Sequence, residues 1–395
     1  MTASPGGGAV NAAGAAGAAG TDHAGQHAHH TPGADALLSG LRDALRAARA
    51  GMAGAPPHVA DAPPHTADAP LQLMSDKGLA HHHVRLVGTG LIARLPKQSQ
   101  MGLPAQQNLD HEAACFQRAA ASGHVPRIVG LLPPGTALPR GGLLVEEVMG
   151  RPARLPEDLG AIAQALAAIH SLPLPEPALR PPLLDANDPL DALRLEIELQ
   201  ACHLDEAGLA PAARALIDSV RNTFAACCAQ AARPARRLIA FDAHPGNFLV
   251  RDDGTAMLVD LEKARYSHPP LDLAHATLYT STTWDVASRA ELTPAQVAGA
   301  YAAWQRASDL GRSQRRWLVP LRAAMWLWSV TWCAKWRVLS PREAQAGVDG
   351  EDWSHQHTAQ ALVTHVRERV DCYLSTPVVE RVVDELAVLE RLLQD

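Results

Sequence analysis

The stretch from Leu238 to Ala264, LIAFDAHPGNFLVRDDGTAMLVDLEKA, constrains this chain more than any other. It holds an apolar run, a His-Pro-Gly loop, a second run from Phe248 to Val250, an Asp-Asp-Gly turn and a third run from Met257 to Val259. Asp253-Gly254 between alternating apolar segments signals a β-hairpin, because glycine accepts the left-handed backbone that such turns need. Counting outward from a two-residue turn, Asp252 faces Thr255 and Asn247 faces Asp260. Directly opposed residues bring their Cβ atoms to about 4.5–5.5 Å. An amide oxygen and a carboxylate at that separation can converge on one Mg²⁺, whose ligand oxygens stand at about 2.0–2.1 Å. Asp242 lies on the loop before Asn247, bent by Pro245 and Gly246, and approaches the same point without being a ligand. A carboxylate so placed accepts the proton of an attacking hydroxyl while a metal neutralises phosphoryl oxygens. Asp252 and Asp253 read as ordinary turn residues.

The 395 residues leave room for about two domains of roughly 150 residues. Residues 1–70 are rich in Ala, Gly, Pro and His, with one helical patch carrying Leu37, Leu38, Leu41 and Leu45; so little apolar surface predicts a disordered tail. His23, His27, His29 and His30 in that tail read as compositional drift rather than a metal site. Residues 71–150 carry short Leu, Ile and Val runs at Val84–Val87, Leu91–Leu95 and Leu143–Val148, with a helix starting near Asn108: a small sheet with one helix. Residues 151–395 are mainly helical, with helices carrying Leu159, Ile162, Leu166 and Ile169, then Val297, Tyr301 and Trp304 after Thr293-Pro294, and two more at the end. A net charge of -6 provides no basic field for nucleic acid. The six cysteines form no C-x-x-C pair and read as thiols in a reducing compartment. No signal peptide is recognised, and the apolar stretch from Ala323 to Ala334 is shorter than the ~20 residues that cross a bilayer. A cytoplasmic protein without a membrane or nucleic-acid partner is expected; the oligomeric state is not legible.

Three motifs, Asp242 to Asn247, Val259-Asp260-Leu261-Glu262 and Asp272-Leu273-Ala274, resemble those of the aminoglycoside phosphotransferase and choline kinase-like family. These are small-molecule kinases with the two-lobed protein-kinase fold, an α+β architecture of a small β-rich N-lobe and a larger helical C-lobe. The likeness covers roughly Leu71 to His275. It implies that Asp242 is the catalytic base or orienting carboxylate, that Asn247 and Asp260 hold Mg²⁺, and that Asp272 buttresses the catalytic loop. It further implies ATP, or another nucleoside triphosphate, as cofactor in the N-lobe. There Arg94 would contact phosphate with Glu112 as its ion-pair partner, although Lys97 could serve instead of Arg94. Lys77 and Gly78 would lie in a loop covering the nucleotide, and Glu147 and Val148 in a hinge that holds adenine through backbone atoms. The His81–His83 triplet could touch phosphate, but reads first as a partly exposed strand rim. Ala240 and Phe241 stand where the family has His-Gly, a departure that puts the packing of the loop in question.

Only eleven residues separate Asp260 from Asp272 and no Ala-Pro-Glu follows, so a peptide-docking activation segment is absent and a small hydroxylated acceptor is favoured. Two features bear on that acceptor. The acidic set Glu196, Glu198, Asp205, Glu206, Glu351 and Asp352 would suit an amine, but reads first as solvated helix faces. The run Trp326, Trp328, Trp332 and Trp336 would suit a quaternary ammonium, but at helical spacing reads first as core. The rival to an enzyme is a non-catalytic nucleotide-binding pseudokinase on the same fold, for which Ala240 is the one residue that speaks.

Overall fold

In the computed structural model, which describes residues 33–51, 66–75, 80–340 and 360–394, short apolar runs pair into a five-stranded antiparallel sheet. The strands are β1 (Leu71–Leu73), β2 (His81–Leu86), β3 (Leu91–Pro96), β4 (Ile128–Leu132) and β5 (Gly142–Glu146), in the spatial order β1-β2-β3-β5-β4. Alternation gives this sheet two distinct faces. One face buries Val84, Leu86, Ala93, Leu95 and Leu144 in a cluster with Leu41 and Leu45 of helix α1 (Ala34–Gly51). This corrects the expectation of disorder at residues 34–51. The helix is too poor in apolar groups to stand alone, but the outer face of the sheet supplies the surface that Leu41 and Leu45 need. Arg42 fastens it further by donating to the carbonyls of Ala67 and Ala69. Residues 1–32 and 52–65 of the expected tail lie outside the described residues, with its four histidines, as do Lys77, Gly78, Glu351 and Asp352.

The other face carries Leu143 and Val145 against helix α2 (Ala105–Ala119), which contributes Leu109, Ala113 and Phe116. Beyond β6 (Arg151–Pro152) the chain is mostly helical: α3 (Leu159–His170), α4 (Pro189–Ala201) and α5 (Pro211–Cys228). Four short strands interrupt it, β7 (Arg237–Ile239), β8 (Phe248–Val250), β9 (Ala256–Leu258) and β10 (Arg265–Ser267). The order β6-β8-β9 makes one small sheet, and β7 pairs with β10. Helices α6 (Pro270–Thr277), α7 (Tyr279–Thr282), α8 (Pro294–Ala307), α9 (Leu318–Leu339), α10 (Gln360–Tyr373) and α11 (Thr376–Gln394) follow. Thr293 and Gln296 form a reciprocal capping box at the start of α8, with Pro294 in the first turn. Val297, Tyr301 and Trp304 are buried on that helix, as its periodicity predicts. Among the described residues no helix is long and apolar enough to cross a membrane.

Candidate active site

The predicted hairpin forms, but one residue out of the expected register. Phe248 pairs with Leu258 and Val250 with Ala256, so Arg251 faces Thr255 across a three-residue loop, Asp252–Gly254. Gly254 takes φ +84° at the third loop position, which is why the turn widens from two residues to three. Asn247 therefore faces Val259, whose N–H donates to the Asn247 carbonyl at 2.9 Å, and Asp260 comes one residue later. Both polar residues lie just past the paired strands, so strand alternation does not fix their side-chain directions. Gly246 is required in the loop before them: a Cβ there would stand 2.8 Å from Asp285 side-chain atoms.

Asp242 occupies the loop between β7 and β8. Its carbonyl accepts from Asn247 Nδ2 at 2.9 Å, which orders the metal-ligand candidate against the base candidate. The Asp242 carboxylate meets Lys263 Nζ at 2.8 Å and His275 Nδ1 at 3.6 Å. Burial alone would raise its pKa, but the nearby charges of Lys263, His244 and His275 outweigh burial and hold it well below the usual carboxylate range. The loop is clamped from behind. Asp272 is fully buried and accepts the backbone N–H of Ala240 at 2.7 Å and of Phe241 at 2.8 Å. His170 Nε2 donates to the same carboxylate at 3.1 Å, and Trp304 Nε1 donates to His170 Nδ1 at 3.0 Å, so the tautomer is fixed. Phe241 has φ +61°, the one non-glycine residue in the left-handed region among those described. That strain costs about 1–2 kcal/mol and is offset where the ring is held, edge to face with Trp328 and under the Arg265 guanidinium at 3.6 Å.

On the opposite side of the site, Arg94 and Glu112 do not form the expected ion pair. Arg94 reaches across from β3 to Asp260 at 2.7 Å and to the Val259 carbonyl at 2.9 Å. Glu112 instead binds His81 Nε2 at 2.9 Å and Asn108 Nδ2 at 2.7 Å. The cause is the start of β2: His81 is buried, not part of an exposed rim, and it takes the carboxylate that Arg94 was expected to hold. Its other nitrogen stands 3.6 Å from Glu262. Burial would lower the His81 pKa, but Glu112 and Glu262 carry it above its usual 6.5 despite Arg94. The Glu262 pKa also rises, to about 8, through burial and then the charge of Asp260. Asp260 stays ionised, because Arg94 and His81 overcome its burial.

Residues 76–310 of this chain match the model of a phosphotransferase enzyme family, and that span is more than half its length. The chain belongs to the phosphotransferase enzyme family. Aminoglycoside 2'-phosphotransferase-IIIa, solved as its GDP complex, superposes with TM-score 0.52 at 15% identity, covering 77% of this chain and 92% of that one. An ethanolamine kinase from Plasmodium vivax superposes with TM-score 0.50 at 12% identity, covering 76% and 81%. These likenesses show the kinase-like fold: a sheet-rich N-terminal part followed by a mostly helical one. No curated protein matches the sequence.

In this small-molecule phosphotransferase the hinge candidates differ from each other. The Glu147 N–H donates to the Gly90 carbonyl at 2.8 Å and its carboxylate pairs with Arg85 at 2.6 Å, so that N–H is not free for a nucleotide. Among the described residues, the Glu147 carbonyl and the Val148 N–H take part in no backbone hydrogen bond. Three members of the acidic set are compensated by arginines. Glu196 accepts from Arg265 at 3.0 Å and from Trp328 Nε1 at 2.8 Å, Glu198 pairs with Arg221, and Asp205 with Arg214. Trp326 and Trp336 are core; Trp328 and Trp332 are half-buried, and Trp284 meets Trp332 edge to face at 6.0 Å. Sequence reasoning missed Lys263 and His275 as neighbours of Asp242. A signal for Lys263 existed: only four of the 35 basic residues are lysines, and one of them follows the Asp-Leu-Glu motif directly.

Proposed function

We propose that this phosphotransferase moves the γ-phosphate of ATP, or of another nucleoside triphosphate, to a hydroxyl of a small molecule. Asp242 orients that hydroxyl and receives its proton as the new bond forms. The observation that carries this reading is the loop of Asp242, clamped by Asp272 and joined through Asn247 Nδ2 to the residue expected to hold the metal. Asn247 and Asp260 suit Mg²⁺ by their chemistry: the Asn247 amide N is engaged, which leaves its oxygen, and Asp260 is ionised, with Arg94 on Oδ1. Mg²⁺ bound there would neutralise charge on the phosphate oxygens of the nucleotide. Arg94 holds Asp260 in place, and the Glu147 carbonyl and Val148 N–H are the groups left to receive a base. The GDP complex of the related aminoglycoside enzyme supports nucleotide use on this fold. The departure at Ala240 speaks less for a non-catalytic module than the sequence suggests, since the loop is held through its backbone rather than through a side chain at that position.

The test is a thermal-shift titration with ATP, with and without Mg²⁺, together with ADP release over a panel of amino alcohols, aminoglycosides, sugars and nucleosides. Mg²⁺-dependent stabilisation, with ADP release above an Asp242→Ala control, supports transfer. Stabilisation that ignores the metal, with release no higher than that control, favours the non-catalytic module.

A further inference from the structure

We propose that the acceptor of this phosphotransferase carries an anionic group, a carboxylate or a phosphate, near its reactive hydroxyl, and that Lys263 receives that group. The proposal rests on the phosphoryl-transfer reading above and deepens it to a substrate class. Three observations point the same way. First, the ammonium of Lys263 sits 2.8 Å from Asp242 Oδ2 and 5.8 Å from the centre of the Trp328 ring. It therefore already holds the place a cationic acceptor would need, between a carboxylate and an aromatic face. A quaternary ammonium entering there would meet a like charge.

Second, the carboxylate beside Trp328 that would draw in an amine is compensated within the protein. Glu196 is held by Arg265 and by Trp328 Nε1. Third, an acceptor hydroxyl that approaches Asp242 must share or displace the Lys263 contact. An anion on the acceptor gives the ammonium an oxygen to bind in place of Asp242, at a site where its side chain is only 18% exposed. The lysine's flexible stem and compact charge suit such an exchange better than the fixed fork of an arginine.

The test uses the full chain with ATP and Mg²⁺. Anionic probes are glycerate, 3-hydroxybutyrate, gluconate, glycerol 3-phosphate and ribose 5-phosphate; glycerol and ribose are neutral counterparts; choline and ethanolamine are cationic. ADP release gives kcat and KM separately, and thermal shift with a non-hydrolysable ATP analogue reads binding alone. The expected result is that one anionic series, carboxylate or phosphate, both stabilises the protein and raises ADP release above its neutral counterpart. Lys263→Gln then loses about 10- to 100-fold in kcat/KM for that series, mostly through KM, the scale of one hydrogen bond to a charged group. Lys263→Arg, which keeps the charge, retains part of the preference, and a melt of each variant checks folding. A loss equal for anionic, neutral and cationic acceptors would assign Lys263 to the transferring phosphoryl group and overturn the proposal. So would a preference for choline or ethanolamine, or no stabilisation by any anionic probe while another acceptor drives ADP release. Absence of Mg²⁺-dependent nucleotide binding would instead overturn the transfer reading, and this proposal with it.

Discussion

Two basic side chains face the two carboxylates of the site, and they are held in opposite ways. Arg94 is 5% exposed and is fixed at once to Asp260, to the Val259 carbonyl and over the Phe116 ring. Lys263, on the side where we propose that the acceptor binds, is 18% exposed and presents a single ammonium to Asp242 and the Trp328 face. A guanidinium fork binds several partners in one geometry, whereas an ammonium on a four-carbon stem can change partner cheaply. Under the proposed function, the phosphate side is thus assembled before a nucleotide arrives, and the acceptor side is arranged for exchange.

The strongest way to break this comparison is Asp242→Ala. We expect phosphoryl transfer to fall by about 100- to 10,000-fold, the span of a lost general base, with nucleotide affinity nearly unchanged. Calorimetric titration with Mg-ATP checks the second half; a matching loss of affinity would mean that the two sides are not separable. Asp272→Asn comes next. It leaves one carboxamide oxygen where a buried carboxylate served two backbone N–H groups and His170. Unfolding by urea is expected to show a loss of roughly 2–4 kcal/mol, since hydrogen bonds to charged groups contribute about 1.5–3 kcal/mol each. Arg94→Lys is smaller. It keeps the charge on Asp260 but loses the second arm to Val259, and we expect about tenfold weaker Mg-nucleotide binding with the acceptor preference intact. An altered acceptor preference in this variant would contradict the division between the sides.

The motif residues could be singled out from the sequence because their constraints are local. Asp242, Asn247 and Asp260 lie within one short loop and hairpin, and the Asp-Gly turn announced it. The register was not legible, because the choice between a two- and a three-residue turn depends on where a left-handed residue falls, and Gly254 serves either. Partners distant in sequence were hidden for a related reason. Arg94 and Asp260 are separated by 166 positions, and nothing near Arg94 marks Asp260, rather than Glu112, as its carboxylate. Helix α1 was misjudged because its stability comes from a sheet face that is formed by later residues. Asp272 was placed correctly from its motif, but its acceptance of two backbone N–H groups, which makes Ala240 tolerable, belongs to the folded loop alone.

The smallest effects, and the ones that sharpen the comparison most, are in the pH dependence of stability. His275, beside Asp242, is drawn down from 6.5 to about 4, chiefly by burial and only partly opposed by the Asp242 charge. Its unfolded form binds a proton more readily, so its contribution is complete above pH 6.5 and is lost as pH falls towards 4. His81, on the phosphate side, has the opposite sign. Its pKa is raised, so its contribution is complete below 6.5 and is lost as pH rises through the folded value. Glu262, raised to about 8, adds a loss in the same direction between its usual range and pH 8. Urea midpoints measured across the range should therefore fall at both ends, with each single proton contributing a slope of at most about 1.4 kcal/mol per pH unit. His275→Gln should flatten the acid limb and leave the alkaline limb in place; His81→Gln should do the reverse. If either substitution flattens both limbs, the charges on the two sides of the site are coupled more tightly than the separate holding of Arg94 and Lys263 implies.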